Sequence, residues 1–361
     1  MLRNGLIILT ALLGVVFLAI FAVTEHGPSQ SADDHSTDNF GTIQLLTTDL
    51  GNLSTSKFGI ICGNSNGEIQ IFASASKNTK CTTIKLSNNP ISACILEHNN
   101  ILYVGDESGI FYAYDLNAGL KWSYQTGNKI MGAAVMVNDM ILVGSYDQKL
   151  YAINPDDGQI VYTVSCGSYI NGTPALSASG DTIYLGSCDG MIRRIDTISG
   201  EITGQIELSS PIPASPILYD NILYAITHNG TLVAISTDRF EILYQNKNPG
   251  SFTASPYPSG QYIFLTDTQG HINIHSRHDG QFIAVFEDEI EMTPLQASRS
   301  NQYYAVSSHG KLVQYTMVKN HWQRQILHDF KTDCQRSCIL FNQICFITDD
   351  SGGLYFYEVS K

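Results

Sequence analysis

Short apolar runs alternate with polar turns along almost the whole chain after residue 40. Four such runs follow one another between residues 215 and 244, each of strand length and rich in β-branched or aromatic side chains. The turns between them contain Asp, Asn and Gly, as in the pair Asp220-Asn221. No stretch of this region has the 3.6-residue period of an amphipathic helix. The pattern therefore predicts consecutive antiparallel strands joined by hairpin turns.

This four-run unit recurs eight times, with a period of about forty residues. One turn position ahead of the third run marks each copy: Gly67, Gly109, Gln148, Gly190, Gly230, Gly270, Gly310 and Gly352. A fixed period of this length indicates stacked supersecondary units, and four strands per unit fit a β-propeller. We therefore predict an all-β fold, an eight-bladed β-propeller with four-stranded blades.

The eighth copy of the repeat lacks one strand, and an extra strand-like run precedes the first copy. The eighth copy supplies only three strands, and residues 42–47 form an extra apolar run ahead of the first copy. We predict that this N-terminal strand completes the eighth blade and closes the ring, which removes the free edges at the seam. The predicted domains are an apolar helix that serves as signal-anchor or signal peptide (1–24), a flexible polar tether (25–41) and the propeller (42–361).

The N-terminal segment predicts export. Residues 6–23 carry no charge, and as a helix they are roughly 27 Å long, enough to cross a bilayer core. Arg3 precedes the segment while Glu25 and Asp33 follow it, so we expect the propeller outside the cytoplasm. A cleaved signal peptide is the alternative, although residues 20–22 make a poor cleavage site. The predicted location is membrane-anchored and periplasmic or extracellular, or else secreted after cleavage.

The repeat resembles a known family in two of its motifs. Four inner strands open on a small residue or methionine, a hydroxyl residue and a proline: Gly172-Thr173-Pro174, Ala214-Ser215-Pro216, Ala254-Ser255-Pro256 and Met292-Thr293-Pro294. A Gly-Ser-x-Asp pattern followed by an apolar strand recurs at 144–154 and 186–196. Together these motifs resemble the quinoprotein-type (PQQ-like) propeller repeat, over nearly everything after residue 50.

Among the families that share this repeat, the chain is similar to the propeller lipoprotein of the bacterial outer-membrane barrel assembly machinery. The similarity lies in the blade count, the repeat type and the exported location. Lipidation of such a protein needs a cysteine directly after the apolar run, whereas the first cysteine here is Cys62. The resemblance implies a protein-binding role, and a role in envelope or outer-membrane protein assembly is one option.

The resemblance to quinoprotein dehydrogenases implies a quinone cofactor, which the sequence does not favour. Those enzymes are longer, place cofactor ligands on inserted loops and often carry adjacent cysteines, which are absent here. The predicted inner strands, such as 132–137 and 172–177, contain no Asp, Glu, Lys or Arg. We therefore predict a non-catalytic, membrane-tethered scaffold without cofactor or metal. A small-ligand or sensor propeller is the alternative, ahead of a dehydrogenase.

The net charge of −13, from 33 acidic and 20 basic residues, argues against a nucleic-acid partner. It suits a soluble protein or a cationic partner outside the cytoplasm. Five acidic or histidine side chains fall on turns at the predicted channel mouth and are candidate binding residues: Asp147, Asp189, His228, Asp267 and His309. Turn residues of these types also satisfy local backbone groups, which is the competing explanation.

Two further features stand out from the repeat. Arg193 and Arg194 interrupt a strand that otherwise reads Tyr-Ala, and they predict either a salt bridge to a neighbouring acid or an anion site. Eight cysteines in an exported protein allow disulfides. The pairs considered from the sequence are Cys334 with Cys338, and Cys166 with Cys188.

Overall fold

The computed structural model describes residues 40–43, 50–73, 81–290, 296–299, 302–334, 338–349 and 353–359. They belong to one compact unit, Asp38–Lys361. The predicted N-terminal helix and most of the tether, with residues 44–47 of the predicted closing strand, lie outside the described residues. No helix among the described residues is long and apolar enough to cross a bilayer.

Every described strand belongs to one of eight four-stranded antiparallel sheets. The chain begins with β1 (Phe40–Ile43). Blade 1 has β2 (Leu50–Ser56), β3 (Gly59–Asn64), β4 (Glu68–Phe72) and β5 (Cys81–Lys85); blade 2 has β6 (Leu96–His98), β7 (Ile101–Gly105), β8 (Ile110–Asp115) and β9 (Gly119–Gln125). Blade 3 has β10 (Val135–Val137), β11 (Met140–Gly144), β12 (Lys149–Ile153) and β13 (Ile160–Ser165).

The same order continues through the second half. Blade 4 has β14 (Ala175–Leu176), β15 (Thr182–Gly186), β16 (Met191–Asp196) and β17 (Ile202–Glu207); blade 5 has β18 (Ile217–Tyr219), β19 (Ile222–Ile226), β20 (Thr231–Ser236) and β21 (Glu241–Lys247). Blade 6 has β22 (Tyr257–Ser259), β23 (Tyr262–Thr266), β24 (His271–Ser276) and β25 (Phe282–Glu287). Blade 7 has β26 (Gln296–Arg299), β27 (Gln302–Val306), β28 (Lys311–Val318) and β29 (His321–Asp329); blade 8 has β30 (Cys338–Phe341), β31 (Ile344–Thr348) and β32 (Leu354–Glu358).

The prediction of an all-β, eight-bladed propeller with four-stranded blades is confirmed. Its turn chemistry is that of tight hairpins. Asp220 and Asn221 both adopt positive φ, 50° and 58°, as Asn138 and Asp139 do at 47° and 56°. Two consecutive residues of positive φ indicate a type I′ turn, whose twist matches that of the strands it joins.

The inner strands begin later than the sequence predicts. Strand β10 starts at Val135 rather than at residue 132, and β14 covers only Ala175–Leu176. The small residues ahead of them form links that approach the neighbouring blade instead of pairing within their own. The inner strands are also not free of charged residues, because β6 includes Glu97 and β26 includes Arg299. Both residues lie one position beyond the predicted inner-strand ranges, which themselves contain no charged residue.

Each pair of consecutive blades shares an apolar cluster. Tyr103 and Phe111 of blade 2, for example, pack with Ile141 and Tyr151 of blade 3. Equivalent clusters occur at the other seams, including the seam where the repeat ends meet. There Phe346 of blade 8 packs with residues of blade 1. The core is thus a ring of eight seams rather than one central core.

The eighth sheet has the order β1-β32-β31-β30, so the N-terminal strand pairs with the last one. Phe40 lies opposite Tyr357, and Ile43 lies opposite Leu354. The predicted strand 42–47 shares two residues with β1. That this strand is what closes the ring stays a prediction.

Glycines at the ends of second strands let the blades approach each other. A Cβ added to Gly144 would lie 2.2 Å from Cγ2 of Ile170, the residue that leads into blade 4. The same overlap occurs between Gly63 and Ile91, at 2.3 Å. Contacts this short cannot be tolerated without movement of the neighbour. The glycine of one blade therefore makes the space for the isoleucine that enters the next.

We expect Gly144→Ala to lower the free energy of unfolding by about 1–3 kcal/mol, because the added methyl group overlaps Ile170. The same change made in an Ile170→Ala background should cost much less. In an Ile290→Ala background, at a distant seam, its cost should be unchanged. Urea denaturation of the wild type and the five variants tests this coupling, and equal costs of Gly144→Ala in all backgrounds would contradict it.

Candidate functional site

The turns between second and third strands lie on the same face as the links between blades. Backbone hydrogen bonds connect them: Tyr146 N–H donates to Lys129 C=O at 2.9 Å, and His228 N–H donates to Pro211 C=O at 2.7 Å. This face, formed by the turns 64–67, 106–109, 145–148, 187–190, 227–230, 267–270 and 307–310 with the adjoining links, is here called the channel-mouth face. All five candidate binding residues lie on it.

A belt of hydroxyl groups joins the links of consecutive blades. Thr173 Oγ1 accepts from Ala133 N–H at 3.0 Å, Ser215 Oγ accepts from Thr173 N–H at 2.8 Å, and Ser255 Oγ accepts from Ser215 N–H at 3.1 Å. A Cβ on Gly172 would lie 2.8 Å from the backbone of Ser215, so the links are in close contact. The small-hydroxyl-proline motif thus serves blade-to-blade bonding.

Asp147 is engaged by groups from its own blade and from the preceding link. Its carboxylate accepts from Gly127 N–H at 2.7 Å, from Lys149 N–H at 3.1 Å and from the Tyr151 hydroxyl at 2.5 Å. Gly127 belongs to the link that leads into blade 3. The carboxylate therefore holds the link, the turn and the third strand together, an arrangement that we call a carboxylate latch.

Asp189 forms the corresponding latch in blade 4, with arginine in place of tyrosine. It accepts from Gly167 N–H at 2.7 Å and pairs with Arg193 at 2.5 Å. Burial acts to raise the pKa of Asp189, but the hydrogen bonds from Arg193, Ser187 and backbone amides outweigh it. The pKa of this carboxyl consequently lies well below its ordinary value, and the group is ionised at neutral pH.

Two further latches were missed from the sequence. The Asp106 carboxylate accepts from the Ser87 hydroxyl at 2.6 Å and from the Tyr112 hydroxyl at 3.0 Å. Asp349 accepts from the Tyr355 hydroxyl at 2.7 Å. In these blades the carboxylate is the first residue of the turn between the second and third strands, whereas Asp147 is the third residue of its turn. Aligning the repeats on Asp147 therefore does not identify Asp106 or Asp349. The signal that could have found them is the donor three residues after the repeat-marking turn position: Tyr112, Tyr151, Arg193 and Tyr355.

Asp267 is also occupied. Its side chain is buried, accepts from His271 N–H at 3.0 Å and lies 2.9 Å from His271 Nδ1. On the same strand, His275 is buried with its Nδ1 2.9 Å from Gly280 C=O, and burial lowers its pKa. Within the described part of the chain, no group of three His, Cys, Asp or Glu side chains is placed to bind a metal ion.

The two histidines of the candidate set face solvent. His228 is exposed, and its backbone joins the links through Pro211 and Phe252. His309 lies between two carboxylates, with Nε2 3.4 Å from Glu289 and Nδ1 3.2 Å from Asp333. Because the two acids contact opposite ring nitrogens, they cannot share one metal ion with this imidazole in the observed arrangement.

The two arginines have different surroundings. Arg193 is buried, and its ion pair with Asp189 corresponds to the salt-bridge alternative drawn from the sequence. Arg194 instead places its guanidinium 4.9 Å from the centre of the Phe240 ring and donates to Thr203. Since neighbouring strand residues point to opposite faces, the two side chains do not converge on one anion site.

An aromatic feature of the channel-mouth face was not predicted. The rings of Tyr146 and Tyr169 stack at a centroid distance of 5.1 Å and an angle of 10°, across the seam between blades 3 and 4. Lys129 Nζ lies 4.7 Å from the Tyr146 ring, whose hydroxyl donates to Asn171 at 2.5 Å. Tyr169 is 47% exposed. We call Tyr146 and Tyr169 the tyrosine pair.

Residues 70–284 match the model of the family described as outer membrane protein assembly factor BamB. The chain belongs to this family. The resemblance to PQQ-like propellers of the outer-membrane assembly machinery, drawn from the repeat, is thereby confirmed.

Individual relatives are distant. The outer membrane protein assembly factor BamB of Yersinia pestis is 24% identical over 210 residues, which cover 53% of this chain and 51% of that protein. A beta-alanine-activating enzyme of Drosophila melanogaster is 28% identical over 162 residues, or 43% of this chain and 16% of the enzyme. The chain therefore spans about half the length of the BamB relatives it matches.

The crystal structure of BamB from Moraxella catarrhalis superposes with a TM-score of 0.72 at 16% identity, and covers 88% of this chain and 96% of that one. At this identity the likeness shows the fold alone. The region that matches the family model includes the latches of Asp147 and Asp189.

The latch of blade 4 gives a prediction with an internal control. Asp189→Asn leaves the buried guanidinium of Arg193 without its ion pair, and we expect a loss of about 3 kcal/mol in unfolding free energy at pH 7. Arg193→Tyr reproduces the Asp147–Tyr151 pair of blade 3, so its cost should stay within about 1 kcal/mol.

The Asp189→Asn effect should also depend on pH. Because folding lowers the pKa of Asp189, its contribution is complete above the ordinary value of about 3.9 and is lost as the pH falls through the folded-state value. The stability difference between wild type and Asp189→Asn should therefore be constant from pH 7 to 5 and shrink below pH 4. Denaturation curves at several pH values measure it; a difference that grows in acid would refute the latch.

Proposed function

We propose that the protein is a non-catalytic, extracytoplasmic and membrane-tethered propeller that binds another protein in outer-membrane protein assembly. Membership of the BamB family supports this role. The matched region is about half or less of each curated BamB relative, so their partners are not assigned to this chain.

The observation that carries the proposal is the contrast between occupied carboxylates and an exposed aromatic pair on one face. The carboxylates of Asp147, Asp189 and Asp267 accept hydrogen bonds from other groups of the protein. These bonds disfavour a ligand site built on the three side chains. The tyrosine pair presents partly exposed ring surface beside the ammonium group of Lys129. Tyrosines with a rigid neighbour are typical anchors of protein–protein interfaces.

A small-ligand or sensor propeller is the second candidate. One observation favours it: His228 and His309 are exposed on the channel-mouth face, and His309 carries Glu289 and Asp333 beside it. Such a group of side chains would suit a cationic ligand. Titration of the purified protein with calcium and with a quinone cofactor separates the candidates. Tight stoichiometric binding of either would count against the protein-binding scaffold, and a bound chromophore that can be reduced would support a quinoprotein enzyme.

The protein-binding role is tested by capture from native membranes with the full chain as bait. We expect recovery of outer-membrane assembly components, and Tyr169→Ser should reduce it by about tenfold or more, as for an interface hot spot. Ile198→Ser is the matched control, because Ile198 is 69% exposed but lies on the turn between β16 and β17, away from this face. Equal recovery with both variants, or none with the wild type, would count against the proposal.

The proposed tether and ring closure are tested by two truncations. Removal of residues 1–37 should release the propeller from the membrane fraction and leave its thermal unfolding midpoint unchanged, because the compact unit begins at Asp38. Removal of residues 1–47 also deletes β1, and should lower the midpoint by about 5 °C or more if β1 closes the ring. Equal midpoints would show that closure rests on the seam between blades 8 and 1 alone.

A further inference from the structure

Two cysteines of blade 8 lie in contact. Cys338 is on the inner strand β30 and Cys345 on its antiparallel neighbour β31, and their sulfur atoms are 2.9 Å apart. Cys345 lies opposite Leu340, two residues along β30 from Cys338. Residues two apart on a strand point to the same side, so the two thiols share one face of the sheet.

The distance between the two sulfur atoms is longer than a disulfide bond by less than 1 Å. A disulfide has its sulfur atoms about 2.05 Å apart, so the two atoms need to approach by roughly 0.9 Å. Rotation about the side-chain torsions provides a movement of this size within a strand pair. The diagonal placement also lies within reach, because the right-handed twist of a sheet shortens one of its diagonals.

The alternative partner considered from the sequence was Cys334. That residue is also buried in the seam between blades 7 and 8, and its thiol lies 3.9 Å from the carbonyl oxygen of Thr332. The sulfur atoms of Cys338 and Cys345 are 2.9 Å apart. This sulfur–sulfur contact is the observation that supports the cross-strand pair.

We propose that Cys338 and Cys345 form a disulfide bond that ties β30 to β31. The inference needs an oxidising environment but not the protein-binding role. The oxidant is a disulfide, either that of a thiol oxidoreductase or oxidised glutathione. The thiolate of one cysteine attacks it and releases one thiol; the second cysteine then attacks the mixed disulfide and releases the other. The two cysteines lose two protons and two electrons, and the oxidant gains them as two thiols.

The burial of the pair sets the time at which the bond forms. Cys338 is 1% exposed and Cys345 is fully buried among apolar residues of the seam with blade 7. The hydrogen bond with Cys338 and the burial raise the pKa of Cys345 well above its ordinary value, so the thiolate is scarce in the folded protein. Oxidation therefore takes place during folding, and the closed seam then shields the bond from reductants.

The position of the bond gives it a structural purpose. Strand β30 lies in two seams at once, because Leu340 packs toward blade 7 while Ile339 and Phe341 pack toward blade 1. It is the inner strand at the point where the ends of the repeat meet. A covalent tie between β30 and β31 fixes this strand before blade 1 packs on it, and so favours closure of the ring.

The test is a disulfide map of the refolded full chain. The protein is unfolded, reduced, refolded in a mixture of reduced and oxidised glutathione, and alkylated in denaturant without reductant. Two of its eight cysteines should escape alkylation. Digestion with chymotrypsin, which cleaves after Phe341, should then give two peptides joined through Cys338 and Cys345.

Three variants make the assignment specific. Cys345→Ala should return Cys338 to alkylation, whereas Cys334→Ala and Cys62→Ala, which remove other buried thiols, should leave the cross-linked peptides unchanged. Alkylation of all eight cysteines in the wild type would overturn the proposal, and so would a bond between Cys334 and Cys338. The wild-type map decides the question even if a variant does not fold.

Discussion

The structure depends on the apolar contact between one blade and the next. Among the described residues, each apolar cluster is built from two consecutive blades, so each sheet depends on its neighbours to bury its faces. The pairing of Gly144 with Ile170 shows how closely the seams are fitted, since the space for one residue is created by the lack of a side chain on the other. The even period of the sequence is the consequence, because each unit must fit both of its neighbours.

The channel-mouth face follows from the same constraint. Links between blades must be fixed to the turns beside them, and the latches of Asp147 and Asp189 do this with one carboxylate each. These two carboxylates resemble a binding site in the sequence, but their hydrogen bonds hold the ring together. The tyrosine pair is a part of this face that the seams leave partly exposed.

The fold could be predicted because the information is local and repeated. The turn at Asp220-Asn221 depends on two residues, and its recurrence in other blades gives the architecture. The latches could be predicted only in part: Asp189 and Arg193 are four residues apart, but the amide of Gly167 comes from the preceding link. The stacking of Tyr146 on Tyr169 could not be predicted, because it joins two blades and appears in no single unit.

Site-specific photo-crosslinking tests whether the channel-mouth face binds a protein. A photoreactive residue replaces Tyr169 in one version of the full chain and Ile198 in another, and both are irradiated in native membranes. We expect a discrete crosslinked product, containing an outer-membrane assembly component, from position 169 and none from position 198. Crosslinks from position 198 alone, or from neither position, would contradict this expectation.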